Sequence, residues 1–528
     1  MGMPPGFWNI LKRAAQTTSF KQLAMDDEFM RSQKRAMVVG IDGCLWITQC
    51  QAVFHSPCHA QMGRSPELRA LFYKVAALNN AGVIAVFVFD GPNRPAVKRN
   101  KRVKAKPHWL VEEFMEMINL FGFYSYTAPG EAEAELAELN RRGHIDAVLS
   151  DDGDTMLFGA RRVIRSLNKK NKDEITVYTA VATEIHSQIS LSLGGILLLA
   201  ILGGGDYDTV GLANCGISTA HALARCGLGD SLLEAVKTRV GSRLEEFLVG
   251  WRDQLSTELA TNSQGHLKSK QKALSRKIPN TFPSVKVLKL YVYPVTSWSE
   301  GLLPNFGSWV VKLPSVPELV LFLQRKFGWK AGDMVKKLKK FVFPGMCVRR
   351  LNLPLNVNQH LYHHAVLHPA LSSFRIIRAR KEMQPGHYAY EMEIHVGGMM
   401  KWAFSRVDAP GAAAGAVGAK LFTWISAQPM RRYFPILVNE FENHLCAVAG
   451  EPNYIEIPDS PIVKPTRYLG FIDLTQEDRA EDNSNMGGIA KSRRLARKGG
   501  STSTDDFSEK DMVLIYDADM DTDIIDLT

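Results

Sequence analysis

Four carboxylates fall within 24 positions of one another. Glu131 and Glu133 sit in Ala128-Pro-Gly-Glu-Ala-Glu-Ala-Glu-Leu136, and Asp152 and Asp154 in Asp146-Ala-Val-Leu-Ser-Asp-Asp-Gly-Asp154. Two more acids close apolar runs of strand length, Val38-Val-Gly-Ile-Asp42 and Val83-Ile-Ala-Val-Phe-Val-Phe-Asp90. Ala147-Val-Leu-Ser150 runs into Asp152 in the same way. So many carboxylates share a dry site only when cations neutralise them. A donor set made of oxygen alone favours Mg²⁺ or Mn²⁺. The chemistry these residues point to is that of a divalent-metal site.

The elements that must position them read as α/β. Unbroken apolar runs predict strands buried on both faces, as in a parallel sheet. Ligands of such sheets lie at the carboxyl ends of the strands, where these Asp residues fall. Pro129-Gly130 starts a helix that carries Glu131 and Glu133 in its first turn, where the positive end of the dipole favours carboxylates. Glu135 and Glu138 follow near Arg141 and Arg142 and read as surface helix pairs. Leu68 to Leu78 reads as an amphipathic helix stopped at Asn79-Asn80-Ala-Gly82, Trp109 to Phe121 as another, and Val163 to Leu167 as a strand. Gly195 to Leu202 is apolar all round, so it is a buried helix.

The chain has 528 residues, enough for about two or three domains. Its net charge of +10 is uneven: residues 501–528 hold nine acids and one Lys, which leaves +18 on the rest. An acidic site on a basic body suits a polyanion held by its phosphates. Arg94, Lys98, Arg99, Lys101, Arg102, Lys104 and Lys106 directly follow Asp90, which predicts phosphate contact there. Val210-Gly-Leu-Ala-Asn-Cys-Gly-Ile-Ser-Thr-Ala220 is a Gly turn opening onto a helix, able to bring backbone N–H groups against a phosphate.

Other clusters carry less. Cys50, His55, Cys58 and His59 fit no zinc-finger spacing and read as a helix face. His360, His364 and His368 have helical spacing but no H-E-x-x-H pattern, so they read as surface histidines. Seven scattered Cys without a C-x-x-C point to a reducing compartment. With no apolar run of membrane-spanning length and no signal-peptide core, the reading is an intracellular, soluble protein.

Residues 246–345 read as helices with basic stretches, and 346–450 as a small β-rich module around Phe374-Arg-Ile-Ile-Arg and Tyr388-Ala-Tyr-Glu-Met-Glu-Ile-His. Gly411 to Lys420 reads as a flexible loop. From about 475 the composition predicts disorder. Within that tail Lys491-Ser-Arg-Arg-Leu-Ala-Arg-Lys498 has the makeup of a nuclear import signal or of a nucleic-acid contact. Phe471-Ile-Asp-Leu, Val513-Leu-Ile-Tyr and Ile524-Ile-Asp-Leu resemble SUMO-interacting motifs, which add a strand to a partner's sheet.

Taken together, Gly40-Ile-Asp42-Gly, Phe89-Asp90-Gly-Pro, Pro129-Gly-Glu131-Ala-Glu133-Ala, Ser150-Asp-Asp152-Gly-Asp154-Thr and Gly204-Gly-Asp206-Tyr resemble, in order, the motifs of the XPG/flap-endonuclease superfamily. Leu139 to Ala160 and the short spacer from Gly91 to Ala128 are most similar to its Holliday-junction resolvase branch. The resemblance implies a mostly parallel, PIN-like nuclease sheet with a helix-two-turn-helix extension over residues 1–345. It further implies a chromodomain-like module at 346–450, ahead of a regulatory tail at 451–528. It assigns Asp42, Asp90, Glu131, Glu133, Asp152, Asp154 and Asp206 to two Mg²⁺ ions, with Mn²⁺ as a substitute, and makes Asp151 a neighbour of the set. Arg94, Lys98 and Arg99 would steer the scissile phosphate, and Gly211, Gly216, Ser218 and Thr219 would lie in the DNA-gripping turn. Branched DNA, a homodimer on four-way junctions and a nuclear location follow from the same likeness. Two departures stand out. The Gly6-Phe-Trp8 register needs one extra residue, which leaves the position of Gly2 open, and the family's G-x-G appears as Asn214-Cys215-Gly216.

Overall fold

The computed structural model describes residues 2–24, 36–54, 64–104, 106–165, 174–351, 373–381, 388–407, 419–427, 430–431, 434–449 and 472–473. The first nine strands are β1 (Gln16–Ser19), β2 (Val38–Asp42), β3 (Ile84–Phe89), β4 (Val97–Lys98), β5 (Lys101–Arg102), β6 (Tyr124–Thr127), β7 (Ala147–Leu149), β8 (Arg162–Arg165) and β9 (Glu174–Thr179). Seven of them form one sheet in the order β1-β9-β8-β7-β2-β3-β6, and β4 and β5 pair as a separate hairpin. From β8 to β6 every pairing is parallel, and β9 and β1 extend the sheet antiparallel.

The apolar runs explain this arrangement. Val39, Ile41, Ala85, Phe87 and Phe89 face one core, which is shared with the helices Gly43–Phe54, Pro66–Ala81 and Val111–Leu120. Val38, Ile84, Val86 and Val88 face the other, shared with Ala132–Arg141 and Leu193–Gly203. A strand covered on both faces has no position for a polar residue until it leaves the sheet, so β2 and β3 run apolar up to their closing Asp. Gly40 lets the Ala132–Arg141 helix lie close on β2: a Cβ there would stand 2.4 Å from Ile145 Cδ1 and 2.5 Å from Leu136 Cδ2. The Pro66–Ala81 helix ends on Gly82 in the left-handed conformation, as its stop signal predicts. Leu193–Gly203 is buried from Gly194 to Leu202.

Farther on, β10 (Ser373–Lys381), β11 (Tyr388–His395) and β12 (Lys420–Ser426) form an antiparallel sheet, followed by the Pro435–Ala449 helix. Apolar burial runs on from the Val316–Phe327 helix to Met399 and Met400, and Arg406 pairs with Glu318 at 2.9 Å. The two-residue strand β13 (Ile472–Asp473), inside the first SUMO-motif-like run, pairs with β10 of the same chain. Val513–Tyr516, Ile524–Leu527, Lys491–Lys498, Gly411–Gly418, His55, Cys58, His59, His360, His364 and His368 lie outside the described residues. Cys50 is buried in its helix. Among the described residues no helix is long and apolar enough to cross a membrane.

One expectation is corrected. Glu135 is fully buried rather than paired on the surface: its oxygens accept from Tyr126 Oη at 3.0 Å and from the Ser297 backbone N–H at 2.8 Å. The segment through Val295 and Ser297 crosses that side of the helix and closes it off from water. Glu138, one turn on, stays half-buried and binds Arg141 and Arg142 as its spacing predicts.

Candidate active site

Six of the acids come together beyond the carboxyl ends of the adjacent strands β7, β2, β3 and β6, and Asp206 joins them from the end of a helix. Asp42 closes β2, and its Oδ1 accepts the Leu45 N–H at 2.8 Å, capping the Gly43–Phe54 helix. Asp90 follows β3, and Asp152 follows β7, with Asp154 opening the short helix Asp154–Leu157. Glu131 precedes the Ala132–Arg141 helix and Glu133 lies in its first turn. Asp206 comes just after Leu193–Gly203. Backbone hydrogen bonds join the loops behind β3 and β6: Gly91 N donates to Gly130 O at 2.7 Å and Asn93 N to Pro129 O at 2.9 Å.

Gly2 also arrives here despite the extra residue ahead of Trp8. Its N–H donates to Asp152 Oδ1 at 3.1 Å, and a Cβ on it would overlap Asp154 Oδ2 at 1.6 Å. Asp151, the neighbour, turns away to Gln49 at 3.3 Å and Arg165 at 3.4 Å.

Electrostatics tie the set together. Burial, opposed by Lys98 but reinforced by Asp90, Asp152 and Glu131, pushes the Glu133 carboxyl up to about 7. Burial and the charges of Glu133 and Asp90 raise Asp42, and burial with Asp152 and Asp206 raises Asp154. All seven acids are therefore within electrostatic reach of one another through shared neighbours. The bases that follow Asp90 offset part of this charge. Arg94 Nη1 lies 2.9 Å from Asp90, Lys98 Nζ bridges Glu131 and Asp206 (3.2 Å to the latter), and Arg99 Nε is 2.6 Å from Asp206.

Among the described residues no three of these acids close around one point tightly enough to hold an ion directly. The donor chemistry nevertheless fits hydrated divalent ions. Every candidate ligand is a hard carboxylate oxygen, and Mg²⁺ commonly keeps several waters between itself and such ligands. Asp154 Oδ1 is a buried acceptor with no hydrogen-bond partner among the described residues, and a cation or its water would satisfy it.

Two open features, the first of them basic, flank the acids. In the β4–β5 hairpin Arg99 and Asn100 adopt φ of 50° and 58°, as a two-residue hairpin turn requires, and Lys101, Arg102, Lys104 and Lys106 are exposed beyond it. In the second, Gly211 and Asn214 have φ of 60° and 68°, so Asn214 takes up the left-handed turn without a glycine. Gly216 caps the Ile217–Ala224 helix with open space around it, and Ser218 is exposed with Thr219 half-buried beside it. They leave open backbone N–H groups and a hydroxyl at the start of this helix.

Sequence reasoning missed Tyr207, whose hydroxyl donates to Glu131 Oε2, and Tyr291, whose ring centroid lies 4.6 Å from that of Tyr207. Its one signal was adjacency, since Tyr207 directly follows Asp206 in Gly204-Gly-Asp206-Tyr.

The family described as the XPG I-region matches residues 122–206, which span Glu131, Glu133, Asp152, Asp154 and Asp206. "Flap endonuclease GEN-like 1" of Arabidopsis thaliana is 28% identical over 276 residues, 47% of this chain and 43% of its own length. "Flap endonuclease GEN homolog 1" of Homo sapiens is 30% identical over 43% of this chain and 25% of its own. "Flap endonuclease 1" of Pyrobaculum calidifontis is 30% identical over 39% of this chain and 73% of its own. This chain thus matches less than half the length of the two GEN relatives. Among solved structures, the Holliday junction-resolving enzyme GEN1 in complex with product DNA and Mg²⁺ is similar at a TM-score of 0.63 and 27% identity, covering 84% of this chain and 99% of that one.

Proposed function

The chain belongs to the XPG/flap-endonuclease superfamily, and from that premise we propose that it is a Mg²⁺-dependent endonuclease that hydrolyses phosphodiester bonds in branched DNA, with four-way junctions and 5′ flaps as substrates. The observation that carries this reading is the gathering of Asp42, Asp90, Glu131, Glu133, Asp152, Asp154 and Asp206 at the carboxyl edge of β7, β2 and β3.

In this reading those seven acids hold two divalent ions, some through water. The ions, when bound, activate a water and stabilise the leaving oxygen of the phosphodiester. The chain's own residues do the rest. Asp90, Glu131 and Asp206 hold Arg94, Lys98 and Arg99 at the rim of the pocket. An entering scissile phosphate offers these bases new anionic oxygens, so they exchange carboxylate for phosphate and orient the bond to be cut. Gly211, Gly216, Ser218 and Thr219 grip the duplex backbone away from the cut. The net +18 outside the acidic tail raises the local concentration of DNA.

Resolving a four-way junction takes two nicks, so two copies act together as a homodimer on it. The solved GEN1 complex with product DNA supports a junction substrate. In the same reading the protein works in the nucleus, with Lys491–Lys498 as the import signal and Val513–Tyr516 and Ile524–Leu527 as sites for a SUMO-type partner. Incubating the full chain with Mg²⁺ and end-labelled four-way junctions beside 5′ flaps tests the substrate. Symmetric paired nicks in the junction are expected, whereas flap cleavage with an intact junction would reduce the reading to a flap endonuclease.

A further inference from the structure

We propose that Tyr207 is the positioning residue for Glu131, and that through it the DNA-gripping turn sets how tightly the carboxylate set holds its divalent ion. The inference rests on the metal-site reading above and goes beyond it.

Glu131 stands at the N-cap position of the Ala132–Arg141 helix, yet its side chain makes no capping bond. An acid at this position ordinarily turns back to a backbone N–H of the first turn. Here the carboxylate is 4% exposed and points away from its own helix, so it needs outside donors to hold it. There are two. Lys98, from the β4–β5 hairpin, meets Oε1, and the Tyr207 hydroxyl donates to Oε2.

The two donors differ in kind. Lys98 is a charged side chain on a flexible stem that also pairs with Asp206, and it is the group an entering phosphate draws off. Tyr207 is neutral and rigid. Its ring packs 4.6 Å from that of Tyr291, and its backbone N–H reaches the Tyr291 hydroxyl at 3.5 Å. Once Lys98 moves to substrate, the phenol is the remaining donor that fixes Glu131. Tyr207 also lies on the chain segment that runs through Gly211 and Asn214 into Ile217–Ala224. A shift of that segment on gripping a duplex moves the phenol, and with it one ligand of the metal set.

Outer groups that orient a metal ligand are typically worth about 10–100-fold in metal affinity. The test is Mn²⁺ titration of the full chain, followed by the electron paramagnetic resonance of free Mn²⁺. Tyr207→Phe should weaken binding by roughly 10–100-fold. Its cleavage should recover when Mn²⁺ is raised to saturation, which places the loss in metal affinity rather than in the maximal rate. Tyr293→Phe, which removes a hydroxyl that donates to Val236 O away from Glu131, should bind as the wild type does. In a Glu131→Ala background, which removes the acceptor, Tyr207→Phe should change nothing, since a coupled pair loses its interaction once either member is gone. Wild-type affinity in Tyr207→Phe overturns the proposal, as does an equal loss that persists beside Glu131→Ala, which would mark general damage to the fold. Failure of the wild type itself to bind Mn²⁺ would instead overturn the metal-site reading, and this inference with it.

Discussion

Asp90 Oδ1 accepts the backbone N–H of Ala132 at 3.0 Å, so the acid that ends one strand also anchors the helix that carries Glu133. Its other oxygen meets Arg94 at 2.9 Å. The two roles separate by substitution. Asp90→Asn keeps an acceptor for Ala132 and removes one negative charge from a crowded set. Cleavage should fall by about 100-fold or more, while the melting temperature in chelator stays level or rises. Asp90→Ala removes the anchor as well and should lower the melting temperature. Parallel cleavage and thermal-melt measurements on the two variants check this.

Gly40→Ala tests how the Ala132–Arg141 helix is seated. The added methyl would press on Ile145 and Leu136, at an overpacking cost of about 1–3 kcal/mol. It would also displace Glu131 and Glu133, so activity per folded molecule should drop. Adding Leu136→Ala makes room for the methyl and should return part of that activity. Denaturant unfolding with a cleavage assay on each variant measures both effects.

The raised Glu133 carboxyl predicts a pH dependence with a definite sign. Its pKa moves from 4.5 up to about 7 on folding, so between those values the native state holds more protons than the unfolded chain. The stabilising contribution is fully present below 4.5 and is lost as pH rises through about 7. Asp42 and Asp154, also raised, act in the same direction. Cations need the deprotonated carboxylates, so binding strengthens over the same rise. Melting temperatures in chelator should therefore fall across this window, and added Mg²⁺ should flatten or reverse the trend.

Arg349 is fully buried, donates to Phe121 O at 2.7 Å and Gly122 O at 3.2 Å, and lies 4.4 Å from the centre of the Phe123 ring. It satisfies carbonyls just beyond the C-terminal end of the Val111–Leu120 helix. Arg349→Met should destabilise the fold by roughly 2–3 kcal/mol, the worth of a hydrogen bond to a charged group plus unpaired carbonyls. Cleavage per folded molecule should hold, as Arg349 touches none of the site acids.

The parts of the site legible in sequence were those set by local pattern. Apolar runs that stop at Asp42 and Asp90 show where buried strands leave the sheet, and Pro129-Gly130 marks the start of the helix with Glu131 and Glu133. What stayed hidden depends on segments far apart in the chain. Glu135 has surface spacing, and the crossing of Val295–Ser297 together with Tyr126 of β6 buries it. Tyr207 and Lys98 meet Glu131 from two different loops, a register that no periodicity records. Gly2 reaches Asp152 because Gly6, at φ of 92°, turns the longer start of the chain into the Phe7–Leu11 helix. That accommodation is invisible to a count of residues.

Cleavage of a labelled four-way junction by the wild type and by Asp152→Asn, each with and without Mg²⁺, tests the central claim most directly. Asp152 sits among the site acids, is buried, and anchors Gly2 through its Oδ1. Nicking by the wild type only when Mg²⁺ is present, and none above background by Asp152→Asn, is the predicted result. Equal nicking by both proteins, or cutting that persists in chelator, would contradict it.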